Sequence, residues 1–217
     1  MGFKKDFAWG AATASYQNEG AAFADGKGLS VWDVFTHEKG RVEDGHNGDV
    51  ACDQYNLWQR DVDIMSELRM NAYRFSLSWP RILPDGTGKV NAKGLDFYDL
   101  LVDGLLSKSI TPYVTLFHWD LPYKLFLRGG WLNPDMPQWF ADYAAVVMDR
   151  LSDRVDHWIT QNEPQCYIGT GLSGGLHAPG LKMNKKDVLQ AAHISLLSHG
   201  RAVQAIRANA KRKPVIG

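Results

Sequence analysis

The sequence predicts an α/β fold of the (β/α)8 barrel class: about four strand–helix units, a half barrel, followed by the opening residues of a fifth strand. Three observations carry that reading. Strand-like and helix-like segments alternate strictly along the 217 residues, which implies a parallel sheet covered by helices. A doubly wound sheet fits the same alternation, but no phosphate-binding glycine fingerprint lies between the first strand and its helix. Polar and aromatic residues also gather at the ends of all four strands, where barrel enzymes place their active sites. A complete barrel takes about 250 residues, so four units make half of one, and residues 1–217 are expected to form a single half-barrel domain.

Each element has its own pattern. A short first strand is expected over residues 7–13, followed by a long glycine-rich loop through Gly48. A helix then runs from Asp53, a plausible N-cap, to Arg69, because Tyr55, Trp58, Val62, Met65 and Leu68 step by three and four. In the strand over residues 71–78, Tyr73, Phe75 and Leu77 alternate with Arg74, Ser76 and Ser78. The breakers Pro84, Gly86 and Gly88 mark a loop, and Leu95, Tyr98, Val102 and Leu105 form the stripe of the next helix. The unit then repeats: a buried strand over residues 112–119, and a helix lined by Met136, Trp139, Phe140, Tyr143, Val146 and Val147. Residues 155–162 make a fourth strand, and Asn184 caps a long helix reaching Ala210 with Val188, Ala192, Ser195, His199, Val203 and Ile206 on one face. Residues 213–217 read as the start of a fifth strand.

Composition narrows the function classes. The formal net charge is zero and hydrophobic residues make up 45% of the chain, which is ordinary for a globular protein with ample core material. Balanced charge gives no electrostatic reason to expect nucleic acid or an anionic membrane as partner. No run of about 18 apolar residues exists to cross a bilayer. The opening residues lack the apolar core of a signal peptide, so a cytoplasmic location is the default expectation. Cys52 and Cys166 lie far apart without metal-type spacing, which fits a reduced, intracellular setting. The eight tryptophans serve core packing by default, but sugar sites use the same flat apolar faces.

Four strand ends hold chemistry-bearing residues. In Trp158-Ile-Thr-Gln-Asn-Glu-Pro164, Glu163 falls at the end of the fourth strand, which Pro164 stops. A carboxylate there points into the mouth of a barrel; the alternative is a loop glutamate that caps a helix or pairs with an arginine. Asn162 fits a turn equally well. In Phe117-His-Trp-Asp-Leu-Pro122, His118 and Trp119 are core residues by default. Gln17, in Ser15-Tyr-Gln-Asn-Glu19, either hydrogen-bonds hydroxyls or ties down a loop. Arg74 sits on an otherwise buried strand and needs a carboxylate, since an unpaired buried charge costs several kcal/mol; no acidic residue on the neighbouring strand offers itself. Taken together, Gln17, Arg74, His118, Trp119, Asn162 and Glu163 share one end of four consecutive strands. That set suits a neutral polyhydroxylated ligand: amides and imidazole for hydroxyls, indole for C–H surfaces, a carboxyl group for proton transfer.

At these residues the chain resembles glycoside hydrolase family 1, the β-glucosidase, β-galactosidase and 6-phospho-β-glucosidase family. The matching stretches are Phe7-Ala-Trp-Gly-Ala-Ala-Thr-Ala-Ser-Tyr-Gln17, Gly26-Lys-Gly-Leu-Ser-Val-Trp-Asp33, Tyr73-Arg-Phe-Ser-Leu-Ser-Trp-Pro-Arg-Ile82, Val114-Thr-Leu-Phe-His-Trp-Asp-Leu-Pro122 and Asn162-Glu-Pro164. They occur in the family's order across nearly the whole chain. The resemblance implies the N-terminal half of a TIM-barrel β-glycosidase that needs no cofactor and no metal, with a β-glucoside or related sugar as ligand. It implies that Glu163 is the acid/base, that Gln17, His118 and Asn162 bind the sugar with Trp119 nearby, and that Arg74 orients the nucleophile. Three positions depart from the family pattern. Asn18 stands where an aliphatic residue is common, Gln161 where an apolar residue or Phe is usual, and Gln165 where Trp is frequent, which puts the leaving-group preference in doubt.

Retaining hydrolysis needs two carboxyl groups about 5–5.5 Å apart, one as acid/base and one as nucleophile. The resemblance places the nucleophile in a Glu-Asn-Gly motif after the seventh strand, and no Glu-Asn-Gly occurs in these 217 residues. Open first and last strands and an uncovered inner face are assembly liabilities. The expectation is therefore a second chain completing the barrel, or self-association into a homo-oligomer. The other reading of the chain is an inactive half-barrel scaffold or sugar-binding module.

Overall fold

The computed structural model describes residues 2–217. In chain order the elements are β1 (Gly10–Ala12), α1 (Ser15–Asn18), α2 (Val31–His37), α3 (Gln54–Glu67), β2 (Ala72–Ser76), α4 (Trp79–Ile82), α5 (Ala92–Ser107), β3 (Thr111–Phe117), α6 (Tyr123–Leu127), α7 (Met136–Leu151), β4 (His157–Gln161), α8 (Lys185–Asn209) and β5 (Val215–Ile216). A π-helical turn, Cys166–Ser173, leaves β4. The five strands form one parallel sheet in the order β1-β2-β3-β4-β5. A doubly wound sheet reverses its strand order at a switch point; this sheet never does, and it progresses as the wall of a barrel progresses.

β2 and the two residues after it are buried on both faces: Tyr73, Phe75 and Leu77 alternate with Ser76 and Ser78, and all five are buried. Two-sided burial is what helix-covered parallel strands require. Helix α7 lays Phe140, Tyr143, Val147 and Leu151 against the sheet, each fully buried, and Tyr143 stacks on Trp79 with ring centroids 4.7 Å apart. At the start of α8 the expected cap is made: Asn184 Oδ1 accepts the Asp187 amide at 3.0 Å. No helix among the described residues is long and apolar enough to cross a membrane.

Several expectations needed adjusting. The first strand is shorter than residues 7–13, and Phe7 and Trp9 lie exposed beside Phe3 in an aromatic cluster before it. Asp53 does not cap α3 with its side chain; it adopts φ +57° and its carboxylate accepts from the Asn56 side-chain Nδ2 instead. The glycine-rich loop holds a helix, α2, started by a reciprocal capping box in which Ser30 Oγ accepts the Asp33 amide at 3.1 Å and Asp33 accepts the Ser30 amide at 2.6 Å. The fully buried arginine is Arg81 at the end of α4, not Arg74: its Nε donates to Glu19 at 2.9 Å, and its guanidinium lies 4.3 Å from the Tyr55 ring centroid.

Gly94 lets α5 approach α4 closely, since a Cβ there would fall 2.0 Å from the Arg81 carbonyl oxygen. Gly94→Ala is expected to destabilise the chain by about 1–3 kcal/mol through overpacking, read as a lower urea midpoint with unchanged slope.

Candidate active site

The C-terminal ends of the strands converge the predicted residues. Arg74 lies within β2, in register with Ala12 of β1 and Tyr113 of β3. His118 and Trp119 follow β3 directly, and Asn162 and Glu163 follow β4. The Asn162 amide continues the ladder by donating to the Phe117 carbonyl at 2.9 Å. Beyond that bond the chain turns sharply: Glu163 adopts φ +43° and Trp119 φ +78°. Non-glycine residues in this region carry strain of about 1–3 kcal/mol each and cluster at functional sites.

Asn162, itself buried, is the hub. Its Oδ1 accepts from Arg74 Nη2, while its Nδ2 lies 3.2 Å from His118 Nε2 and 3.2 Å from Glu163 Oε2. Its backbone carbonyl accepts the Trp119 indole N–H at 2.9 Å. Arg74 Nε donates to Thr115 Oγ1 at 3.0 Å. The positive charge of Arg74 thus meets neutral acceptors in direct contact, with Glu163 as the nearby anion. Glu163 is exposed at the mouth.

Burial, reinforced by the Arg74 charge and partly offset by Glu163, pulls the His118 imidazole down to about 4. His118 is therefore neutral near pH 7. Because the Asn162 amide donates to Nε2, the network assigns the ring proton to Nδ1, which has no protein partner among the described residues. It is buried and hydrogen-bonds no other polar side chain there. The pKa of His118 is depressed below its unfolded value of about 6.5, so its contribution to stability is present above that pH and is lost as pH falls towards 4. An NMR titration of the ring is expected to show a midpoint near 4, moving back up in Arg74→Gln.

Gln17, on α1, shares a cleft of about 460 Å3 with His118 and Trp119. Tyr16, Trp32 and His177 wall the same cleft. His177 is flanked by Trp32 and Trp119, each with its ring centroid 5.6 Å away. Sequence reasoning missed all three wall residues; Tyr16 and Trp32 fall inside the matching stretches, whereas nothing in the sequence around His177 singled it out. The departure at Gln161 is accommodated: its Oε1 accepts from Tyr167 Oη at 3.1 Å and Ser195 Oγ at 2.9 Å. Gln165 is exposed beyond Glu163.

In a comparison with protein families, the model described as glycosyl hydrolase family 1 matches residues 1–217. A 1,4-beta-D-glucan glucohydrolase of Thermotoga neapolitana is 51% identical over 212 residues, which is 96% of this chain and 49% of that protein. Beta-glucosidase A of Thermotoga maritima is 51% identical over 209 residues, 96% of this chain and 47% of that protein. Among solved structures, the Thermotoga maritima β-glucosidase in complex with glucoimidazole superposes with a TM-score of 0.97 at 50% identity, covering 99% of this chain and 48% of that one. The same enzyme in complex with castanospermine gives a TM-score of 0.97 at 51% identity. The chain thus spans about half the length of the relatives it matches, and its sheet and helices form part of a (β/α) barrel.

Proposed function

The chain belongs to glycosyl hydrolase family 1, and from that membership we infer that it provides the N-terminal, acid/base-bearing half of a retaining β-glucosidase acting on terminal β-D-glucosides. The observation that carries this reading is the Asn162 hub, which groups Glu163, His118 and Arg74 at one strand-end surface beside the cleft. In this reading Glu163 protonates the glycosidic oxygen and later takes a proton from water. His118, Asn162 and Gln17 hold sugar hydroxyls, and Trp119 gives its face to the C–H surface of the ring. Arg74 orients the nucleophile, whose carboxylate the remaining strands supply about 5–5.5 Å from Glu163.

Completion of the barrel is part of the same proposal. The edge strands β1 and β5 span only three and two residues and pair on one side each, so strands from outside residues 1–217 close the sheet. Supplying the missing half is expected to give turnover of an aryl β-glucoside, and size-exclusion with light scattering is expected to report an assembly. A stable, monodisperse 24.3 kDa monomer would sink the pairing idea. The other reading is a scaffold or sugar-binding module. Undetectable turnover after completion of the barrel would support that second reading.

A further inference from the structure

Beneath the cleft lies a sealed cluster of ionisable side chains. Glu19, Asp33 and Asp120 meet Lys27 and Arg81, all of them largely shielded from solvent. Two of the three carboxyl groups are matched by cations: Glu19 by Arg81 at 2.9 Å and Asp33 by Lys27 at 2.8 Å. Asp120, 1% exposed, has no such partner. Its Oδ2 meets the Ser15 hydroxyl at 2.5 Å, and its Oδ1 has no protein partner among the described residues. Three acids against two cations are neutral together only when one carboxyl group carries a proton, and Asp120 is the one without an ion pair. The other groups facing the cluster are tyrosines: Tyr98, whose hydroxyl donates to Glu19, with Tyr16, Tyr55, Tyr73 and Tyr143. None adds positive charge.

The contact joins two strand ends. Asp120 directly follows His118 and Trp119, while Ser15 opens α1, which carries Gln17. The Ser15 amide is itself anchored to Ser76 Oγ at the end of β2, at 2.8 Å. We propose that Asp120 is a positioning residue: as the neutral acid it locks the α1 segment bearing Gln17 against the β3 segment bearing His118 and Trp119, and its ionisation releases sugar binding by these side chains. The sugar-binding part rests on the function proposed above. Burial, with the Glu19 carboxylate adding to it and the Ser15 hydrogen bond opposing, pushes Asp120 up to about 7. Once ionised, Asp120 is an unmatched buried charge facing Glu19, and admitting water between the two segments relieves it.

The test is amide hydrogen exchange in residues 13–20 and 117–123 of the 217-residue chain from pH 5.5 to 8.5, corrected for intrinsic rates. Wild type, Asp120→Asn and Ser15→Ala are compared. Both wild-type segments are expected to lose protection together, by up to about tenfold per pH unit as pH rises towards 7, levelling off above it. Asp120→Asn is expected to abolish that dependence, and Ser15→Ala to lower protection at every pH. A pH-independent wild type, or a dependence that persists in Asp120→Asn, overturns the lock. Should the Asn variant fail to fold, a carboxyl 13C titration of wild type decides: an Asp120 midpoint below 5 overturns it. With the barrel completed, KM for an aryl β-glucoside is expected to rise from about pH 5.5 towards pH 7 and level off above it in wild type but not in Asp120→Asn, while kcat keeps one pH dependence in both. If exchange behaves as expected and KM stays flat, the sugar roles of Gln17, His118 and Trp119 fail and the lock between the segments stands.

Discussion

Glu163→Gln is expected to lower turnover by the completed enzyme by about 10²–10⁴-fold, the usual range for removing a general acid/base. The change is nearly isosteric. The amide keeps an oxygen for the Asn162 Nδ2 contact at 3.2 Å, so the backbone at φ +43° and the sugar-holding side chains are left in place. The loss should fall on kcat more than on KM, because a proton delivered in the transition state adds nothing to ground-state binding. It should also grow with the basicity of the leaving group: an alkyl β-glucoside needs protonation, while a nitrophenolate departs without much help. Equal losses on both substrates would remove Glu163 from the acid role and leave it a structural carboxylate.

Arg81→Met is expected to destabilise the fold by about 3–5 kcal/mol, the cost of breaking a buried ion pair by removing one partner. Glu19, 3% exposed, would keep only the Tyr98 hydroxyl at 2.6 Å to offset its charge. The Arg81 bond to the Gly20 carbonyl at 3.0 Å and the packing on Tyr55 would go too. The double variant Glu19→Leu/Arg81→Met should lose much less than the sum of the single changes, since it removes the stranded charge along with its partner. Urea unfolding of the four proteins in the cycle measures the coupling. A double variant as unstable as the sum would mean that packing, not charge, dominates.

Much of this arrangement was legible in the sequence because it depends on local pattern. The alternating strand over residues 71–78, the striped helices and the Asn184 cap are set by neighbours in the chain, and the structure has them. The strand-end positions of His118, Asn162 and Glu163 were likewise readable, since each follows directly on a strand. Which arginine is buried was not. Arg74 and Arg81 lie in one stretch of sequence, and burial of β2 on both faces removes the alternation that would separate rim from core. The partner of Arg81 is Glu19, 62 positions away in a loop that pattern alone leaves shapeless. The cleft walls escaped for the same reason: Tyr16, Trp32 and His177 come from three connecting segments whose meeting is fixed by tertiary contacts.

Each strand of this sheet pairs only with the strands next to it in sequence. Every closure therefore spans one helical crossover, and its entropic cost grows only slowly with the length of that crossover. A chain wired in this way can add units in the order of synthesis, each new strand docking on the one before it. Arg74, His118 and Asn162 come from three successive strands, so their mutual hydrogen bonds become available as soon as β4 docks on β3. Whatever completes the barrel would then meet a surface already organised, and its association rate should be set by docking rather than by folding of this half.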